Sequence, residues 1–201
     1  MSMLKRLFDV TAALLGLVLL SPLLLALALW VKLDSPGPVF FRQERVGRGG
    51  RLFRIHKFRT MVHEPGATGL PLTVGQDARI TRAGQVLRRH KLDELPQLLD
   101  VLIGDMSLVG PRPEVPRYVA HYPDHLREKL LSVRPGLTDP ASLAHLDEGE
   151  RLGRSGDPER TYVEEILPAK LRQAEHYVDH ASLALDLRVL WRTLRALTVR
   201  R

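Results

Sequence analysis

The chain contains no cysteine, which excludes disulfides, thiolate nucleophiles and cysteine-ligated zinc. It also lacks a phosphate-loop lysine motif, a Gly-x-Ser-x-Gly elbow and any recognisable nucleic-acid-binding signature. Internal repeats and low-complexity tracts are absent. The pairs His121/His125 and His176/His180 have helical spacing but not the glutamate of a zinc-protease helix, and Pro123 interrupts the first pair, so zinc is not expected. Gly47-Arg48-Gly49-Gly50 resembles a phosphate loop only in composition, because it joins two β-prone runs and not a strand to a helix. With 201 residues the chain can bury the core of one ordinary domain and has no room for a separate large binding domain.

What the chain does have is positive charge and one long apolar run. Its 30 Lys+Arg against 23 Asp+Glu give a net charge of +7. That balance suits phosphate-bearing partners, whether nucleic acid, an anionic membrane surface or phosphorylated small molecules. From Val10 to Val31, 22 residues carry no charge. As a helix this run extends about 33 Å, enough to cross a hydrocarbon core. Such a run argues against a soluble nucleic-acid-binding module.

Three readings compete for it. A signal peptide would use Lys5 and Arg6 as its basic end, but the run is long and Ser21-Pro22 falls in its middle. A spanning helix is the plain alternative. A re-entrant helix is the third. Pro22 removes a helical hydrogen bond and disfavours helical geometry at Ser21, so a bend is expected and each half reaches only about the midplane. The Ser21 hydroxyl is a local partner for the freed backbone. Basic residues flank both ends, Lys5 and Arg6 before and Lys32, Arg42 and Arg45 after, so neither orientation is favoured. On these grounds spanning and re-entrant helices stand close to even.

Asp34 to Pro38 breaks the chain after this segment. Val39-Phe40-Phe41 and Leu52 to Ile55, either side of Val46 to Gly50, read as a hairpin. Glu64 to Gln76 reads as a loop and Ile80 to Leu92 as a helix. A second helix is expected from Pro96 to Gly104. Residues 147–160 read as a solvated loop. Tyr162 to Arg200 looks helical, with Leu183, Leu187, Leu190, Trp191, Leu194 and Leu197 on one face and Arg188, Arg192 and Arg195 largely off it. A basic helix with Leu and Trp opposite suits a membrane–water interface, while docking on the core explains the periodicity equally well. The expected fold is α-rich α+β.

The densest chemistry lies in Lys91-Leu92-Asp93-Glu94-Leu95-Pro96-Gln97. Adjacent carboxylates repel unless a cation sits beside them. A Mg²⁺ ion would relieve this, since it takes a few carboxylates together with phosphate oxygens and water. One carboxylate could then act as nucleophile while the other holds the metal. By spacing alone, capping of the following helix is the commoner reason for such residues. Lys57, Arg59, Arg88 and Arg112 lie in short segments flanked by apolar residues and offer cations for phosphate.

Several blocks in order resemble the bacterial sugar transferases, or small monotopic phosphoglycosyl transferases. They are the Ser21-Pro22 break, Phe41-Arg42 through Gly47, Lys57 to Met61, Asp93 to Gln97, and Gly104 to Pro113. The resemblance runs from about Lys5 to the C-terminal helix. It implies a re-entrant membrane helix over residues 1–35, broken at Ser21-Pro22, and a catalytic domain over 36–201 on the cytoplasmic face of the inner membrane. It further implies a two-step reaction in which Asp93 attacks the β-phosphate of a UDP-sugar, releasing UMP, and polyprenyl phosphate then takes the sugar phosphate. This would be the first membrane step of a cell-envelope glycan pathway. Glu94 would hold Mg²⁺, and Lys57, Arg59, Arg88 and Arg112 would bind phosphates. The competing readings are a glycosyltransferase that releases UDP and a non-enzymatic membrane scaffold. Nucleic acid is not an expected partner, and a homodimer stays open. The family often reads Arg-Pro-Gly-Ile-Thr-Gly; here the run is Arg134-Pro135-Gly136-Leu137-Thr138-Asp139, and Asp139 to Leu143 departs from the pattern. The sugar is left unassigned for that reason, and capsule, O-antigen and glycoprotein all fit as the glycan.

Overall fold

A computed structural model describes residues 2–62, 77–141 and 148–199. The expected loop at 64–76 lies outside the described residues.

Helix α1 (Met3–Asp34) runs without interruption through Pro22 and is long and apolar enough to cross a membrane. Pro22 has no N–H to offer the Val18 carbonyl one turn back. The Ser21 hydroxyl donates to that carbonyl at 2.8 Å, so the helix keeps its bonding across the proline. The buried residues of α1 lie near its ends: Lys5, Asp9 and Ala13 towards one, Leu27 and Val31 towards the other. No residue from Leu14 to Ala26 is buried, and Leu19 and Leu25 are 77% and 72% exposed.

Each end of α1 is fixed to the body of the protein by polar groups. Lys5 Nζ lies 2.5 Å from Asp186 and donates to the Val109 carbonyl at 3.1 Å. Asp9 accepts from Ser107 Oγ at 2.8 Å and from the Leu108 N–H at 3.2 Å. At the other end Asp34 accepts from the Ala83 N–H at 3.1 Å, and Arg59 donates to the carbonyls of Val31, Ser35 and Pro38.

The β-prone runs pair differently from the expected hairpin. Strands β2 (Glu44–Val46) and β3 (Leu52–Arg54) flank the glycine turn, in which Gly49 and Gly50 have φ of 67° and 78°. Strand β1 (Phe40–Phe41) pairs further out with β4 (Lys57–Phe58), in the same antiparallel register. The tight turn joins the residues nearest to it, so Phe40 meets Phe58 and not the Leu52–Ile55 run.

Helix α2 (Arg82–Arg89) begins at Thr81, whose hydroxyl accepts from the Gly84 N–H at 3.0 Å. A Cβ at Gly84 would stand 2.1 Å from the Thr60 carbonyl oxygen, so the glycine lets α2 lie directly on the chain leaving β4. A 3₁₀ turn (Leu92–Gln97) then leads into α3 (Leu98–Ile103), which ends at Gly104 with φ 105°. Strands β5 (Ser107–Val109) and β6 (Gly136–Thr138) pair in parallel.

The region expected as a solvated loop contains two short helices, Glu148–Gly153 and Pro158–Thr161, the second capped by Asp157. The expected C-terminal helix is divided into a π turn (Tyr162–Ile166), a helix Leu167–Asp179 and a last helix Leu183–Val199. The break after Asp179 lets Tyr177 donate to Asp186 at 2.6 Å. The last helix turns Asp186 and Val189 inward and leaves Leu187, Trp191 and Leu194 exposed. Its inner face packs with Ala13, Phe53, Val101 and Met106 in the main core, and a smaller cluster joins Leu27 and Val31 to Phe58 and Leu87.

Candidate active site

The chain leaves α2 through Lys91, the one non-glycine residue with positive φ (56°) among those described. A left-handed lysine is costly and survives only where its surroundings impose it. The reversal turns Asp93 and Glu94, in the first turn of the 3₁₀ segment, towards β4. Lys57 on β4 meets both, at 2.9 Å to Asp93 Oδ2 and 3.4 Å to Glu94 Oε1. Arg112 closes a two-pronged grip on Glu94: its Nη1 donates to Oε2 at 3.2 Å and its Nη2 to Oε1. Asp93 is 2% exposed, and its second oxygen, Oδ1, is buried with no hydrogen-bond partner.

The charges fit this arrangement. Burial pushes the Glu94 carboxyl up, but Arg112 and Lys57 outweigh it and hold the group below the usual carboxylate range. Glu94 in turn raises the Arg112 guanidinium, against the effect of burial. Burial lowers Arg88 on α2, with the Asp93 charge as the largest opposing influence. The result is an acidic pair faced by several cations, with one Asp93 oxygen still uncommitted. Such a site can supply an oxygen nucleophile and neutralise phosphate charge. Among the described residues no group of three or more His, Asp or Glu is placed to hold a metal ion, so a divalent cation here would rest on Glu94 and on oxygens from a ligand.

Of the residues singled out from the sequence, Lys57, Asp93, Glu94 and Arg112 come together, and Arg88 stands within electrostatic reach. Arg59 points elsewhere. It is 3% exposed, and its guanidinium is spent on carbonyls and the Ser35 hydroxyl at the end of α1.

Spacing gave no signal for three further contacts. Asp100, on α3, accepts from the His56 N–H at 2.8 Å and lies 2.6 Å from His56 Nδ1, fixing the start of the strand that carries Lys57. Gly136 approaches Gly110 so closely that a Cβ would stand 2.1 Å from the Gly110 nitrogen. Asp139, buried, accepts from the Arg112 N–H at 3.3 Å.

An acidic pair held by lysine and arginine thus occurs in the same chain as a helix long and apolar enough to cross a membrane. The chain belongs to the bacterial sugar transferase family, whose model matches residues 1–200. It is 39% identical, over 96% of its length, to a UDP-N-acetylgalactosamine-undecaprenyl-phosphate N-acetylgalactosaminephosphotransferase of Aeromonas hydrophila, and spans 43% of that protein. It is 40% identical, over 96% of its length, to a UDP-glucose:undecaprenyl-phosphate glucose-1-phosphate transferase of Caulobacter vibrioides, spanning 69% of it. An exopolysaccharide production protein of Rhizobium leguminosarum bv. phaseoli is 38% identical and spanned over 93% of its length.

Proposed function

We propose that this chain moves a sugar 1-phosphate from a UDP-sugar to undecaprenyl phosphate and releases UMP. The observation that carries the reading is Asp93: a buried carboxylate with one oxygen held by Lys57 and the other free of any donor. In the first step Asp93 Oδ1 bonds to the β-phosphorus of the donor as the bond from that phosphorus to the bridging oxygen breaks. UMP leaves with that bonding pair, and the sugar phosphate stays on the aspartate as an acyl phosphate. In the second step an oxygen of undecaprenyl phosphate bonds to the same phosphorus and the Asp93 carboxylate is released. Neither step needs a proton from the protein, so its work is positioning and charge neutralisation. Lys57 and Arg112 stand on the acidic pair, and Arg88 lies within electrostatic reach of Asp93; these three would take the donor phosphates.

The donor set suits Mg²⁺, which binds through one or two carboxylates and phosphate oxygens. Glu94, kept ionised beside Asp93, is the carboxylate that would hold the ion, which leaves Asp93 Oδ1 for the attack. Bound there, the ion would neutralise charge on the transferring phosphate.

The same proposal takes α1, with residues 1–35, as a re-entrant helix and 36–201 as one catalytic unit on the cytoplasmic face of the inner membrane. It is supported by Lys5 and Asp34, near opposite ends of α1, both bonded to that unit, and by the unburied stretch between them. The exposed Leu187, Trp191 and Leu194 would rest at the membrane surface.

The test is nucleotide product analysis. Detergent-purified protein is incubated with Mg²⁺, undecaprenyl phosphate and a panel of UDP-sugars, beside Asp93→Asn. UMP release that falls at least about a thousandfold in Asp93→Asn is expected. UDP release would replace this mechanism with glycosyl transfer, and an unimpaired Asp93→Asn would remove the nucleophile.

A further inference from the structure

Arg112 sits between two prolines, Pro111 and Pro113. Neither proline has an N–H, so the Arg112 N–H is the only backbone donor across the three residues. It is given to Asp139, whose side chain is buried and lies 27 residues further along the chain. The parallel ladder creates this meeting. Gly110 N donates to the Thr138 carbonyl at 3.2 Å and Gly136 N to the Pro111 carbonyl at 2.9 Å, so Arg112 and Asp139 leave the ladder side by side. Arg112 is thereby held from two directions: Glu94 takes its guanidinium and Asp139 its backbone. The Asp139 charge also adds to that of Glu94 in raising the Arg112 guanidinium.

We propose that Asp139 is a positioning residue for Arg112, so that this first departure from the family pattern acts on the phosphate site through that arginine. A glycine, which the family often carries at this point, has no side chain to offer the Arg112 N–H. In this chain the placement of a phosphate-binding arginine therefore depends on a carboxylate. The inference rests on the proposed role of Arg112 in holding the donor diphosphate. Asp139 also stands immediately before helical Pro140, where an aspartate caps a helix. The experiment has to separate these two roles.

Full-length protein in detergent is tested with UDP as probe, in a double-mutant cycle of Asp139→Ala and Arg112→Ala. Asp139→Ala alone is expected to weaken UDP binding about tenfold, and to add little once Arg112 is already alanine. Asp139→Asn, which keeps an acceptor and a capping side chain, is expected to recover most of the affinity. Equal weakening in both backgrounds, with a lowered thermal midpoint, would make Asp139 a helix cap only and overturn the proposal. Amide hydrogen exchange at Arg112 is a second readout that needs no nucleotide, and it should speed up in Asp139→Ala. Faster exchange at Arg112 without UDP binding would sink the donor reading and leave Asp139 as the anchor of Arg112. Unchanged exchange at Arg112 in Asp139→Ala would refute the anchor itself.

Discussion

Lys5 and Asp186, 181 residues apart in the chain, form a buried ion pair at 2.5 Å that fixes the start of the apolar helix to the last helix of the protein. Tyr177 also donates to Asp186, at 2.6 Å, so the carboxylate is well supplied with donors. Removing one partner leaves a buried charge uncompensated, which costs about 3–5 kcal/mol, whereas replacing both by apolar groups costs far less. Lys5→Met should therefore lower the thermal midpoint in detergent sharply, and Lys5→Met with Asp186→Leu should recover much of it. Equal midpoints for the single and double variants would show that the pair is not what secures the helix.

The absence of cysteine makes membrane topology directly measurable. Single cysteines at Met3 and at Arg54, both exposed, can be labelled with a membrane-impermeant maleimide. A re-entrant α1 places both on the cytoplasmic side, so both should label in inverted vesicles and neither in intact spheroplasts. Labelling from opposite sides would establish a spanning helix.

Arg112 governs the ionisation of its partner. The Glu94 carboxyl is held below its ordinary value, so the stabilisation from its pairing is present above the ordinary carboxylate range near ~4.3 and is lost as pH falls through the depressed folded value. In Arg112→Ala, burial acts with less opposition and Glu94 should titrate higher. The acid limb of kcat/KM is expected to move up by about one pH unit or more. Arg112→Lys keeps the charge without the fork and should lose roughly ten- to hundredfold in kcat/KM. An acid limb that stays in place in Arg112→Ala would show that Glu94 does not control it.

Gly136 and Gly110 set the distance between two runs of this chain, Gly104 to Pro113 and Arg134 to Thr138. A Cβ on Gly136 would lie 2.1 Å from the Gly110 nitrogen and 2.3 Å from its oxygen, both backbone atoms that cannot turn aside. Gly136→Ala should cost on the order of 3 kcal/mol or more and remove donor binding along with the β5–β6 pair. Circular dichroism and the thermal midpoint would read the loss, and an unchanged midpoint would show that the ladder yields easily.

The apolar run, the breaker after it and the acidic pair were legible in the sequence because each is local. An uncharged stretch declares its length, and Ser21-Pro22 declares a gap in helical bonding, although the Ser21 hydroxyl closes that gap without ending the helix. The α2 and α3 helices fell close to their expected places because Thr81 caps one and Gly104 ends the other. Tertiary structure decided the rest. Arg59 and Arg112 look alike in sequence, each a basic residue among apolar neighbours, yet one is bonded to the end of α1 and the other grips Glu94. The pairing of β5 with β6 was not legible, since two three-residue strands carry too little pattern to announce a partner. Their close approach alone brings Asp139 to Arg112. Local propensity fixed where the elements lie, and long-range packing fixed which cations the acidic pair receives, because a side chain's partner depends on distances that no spacing along the chain encodes.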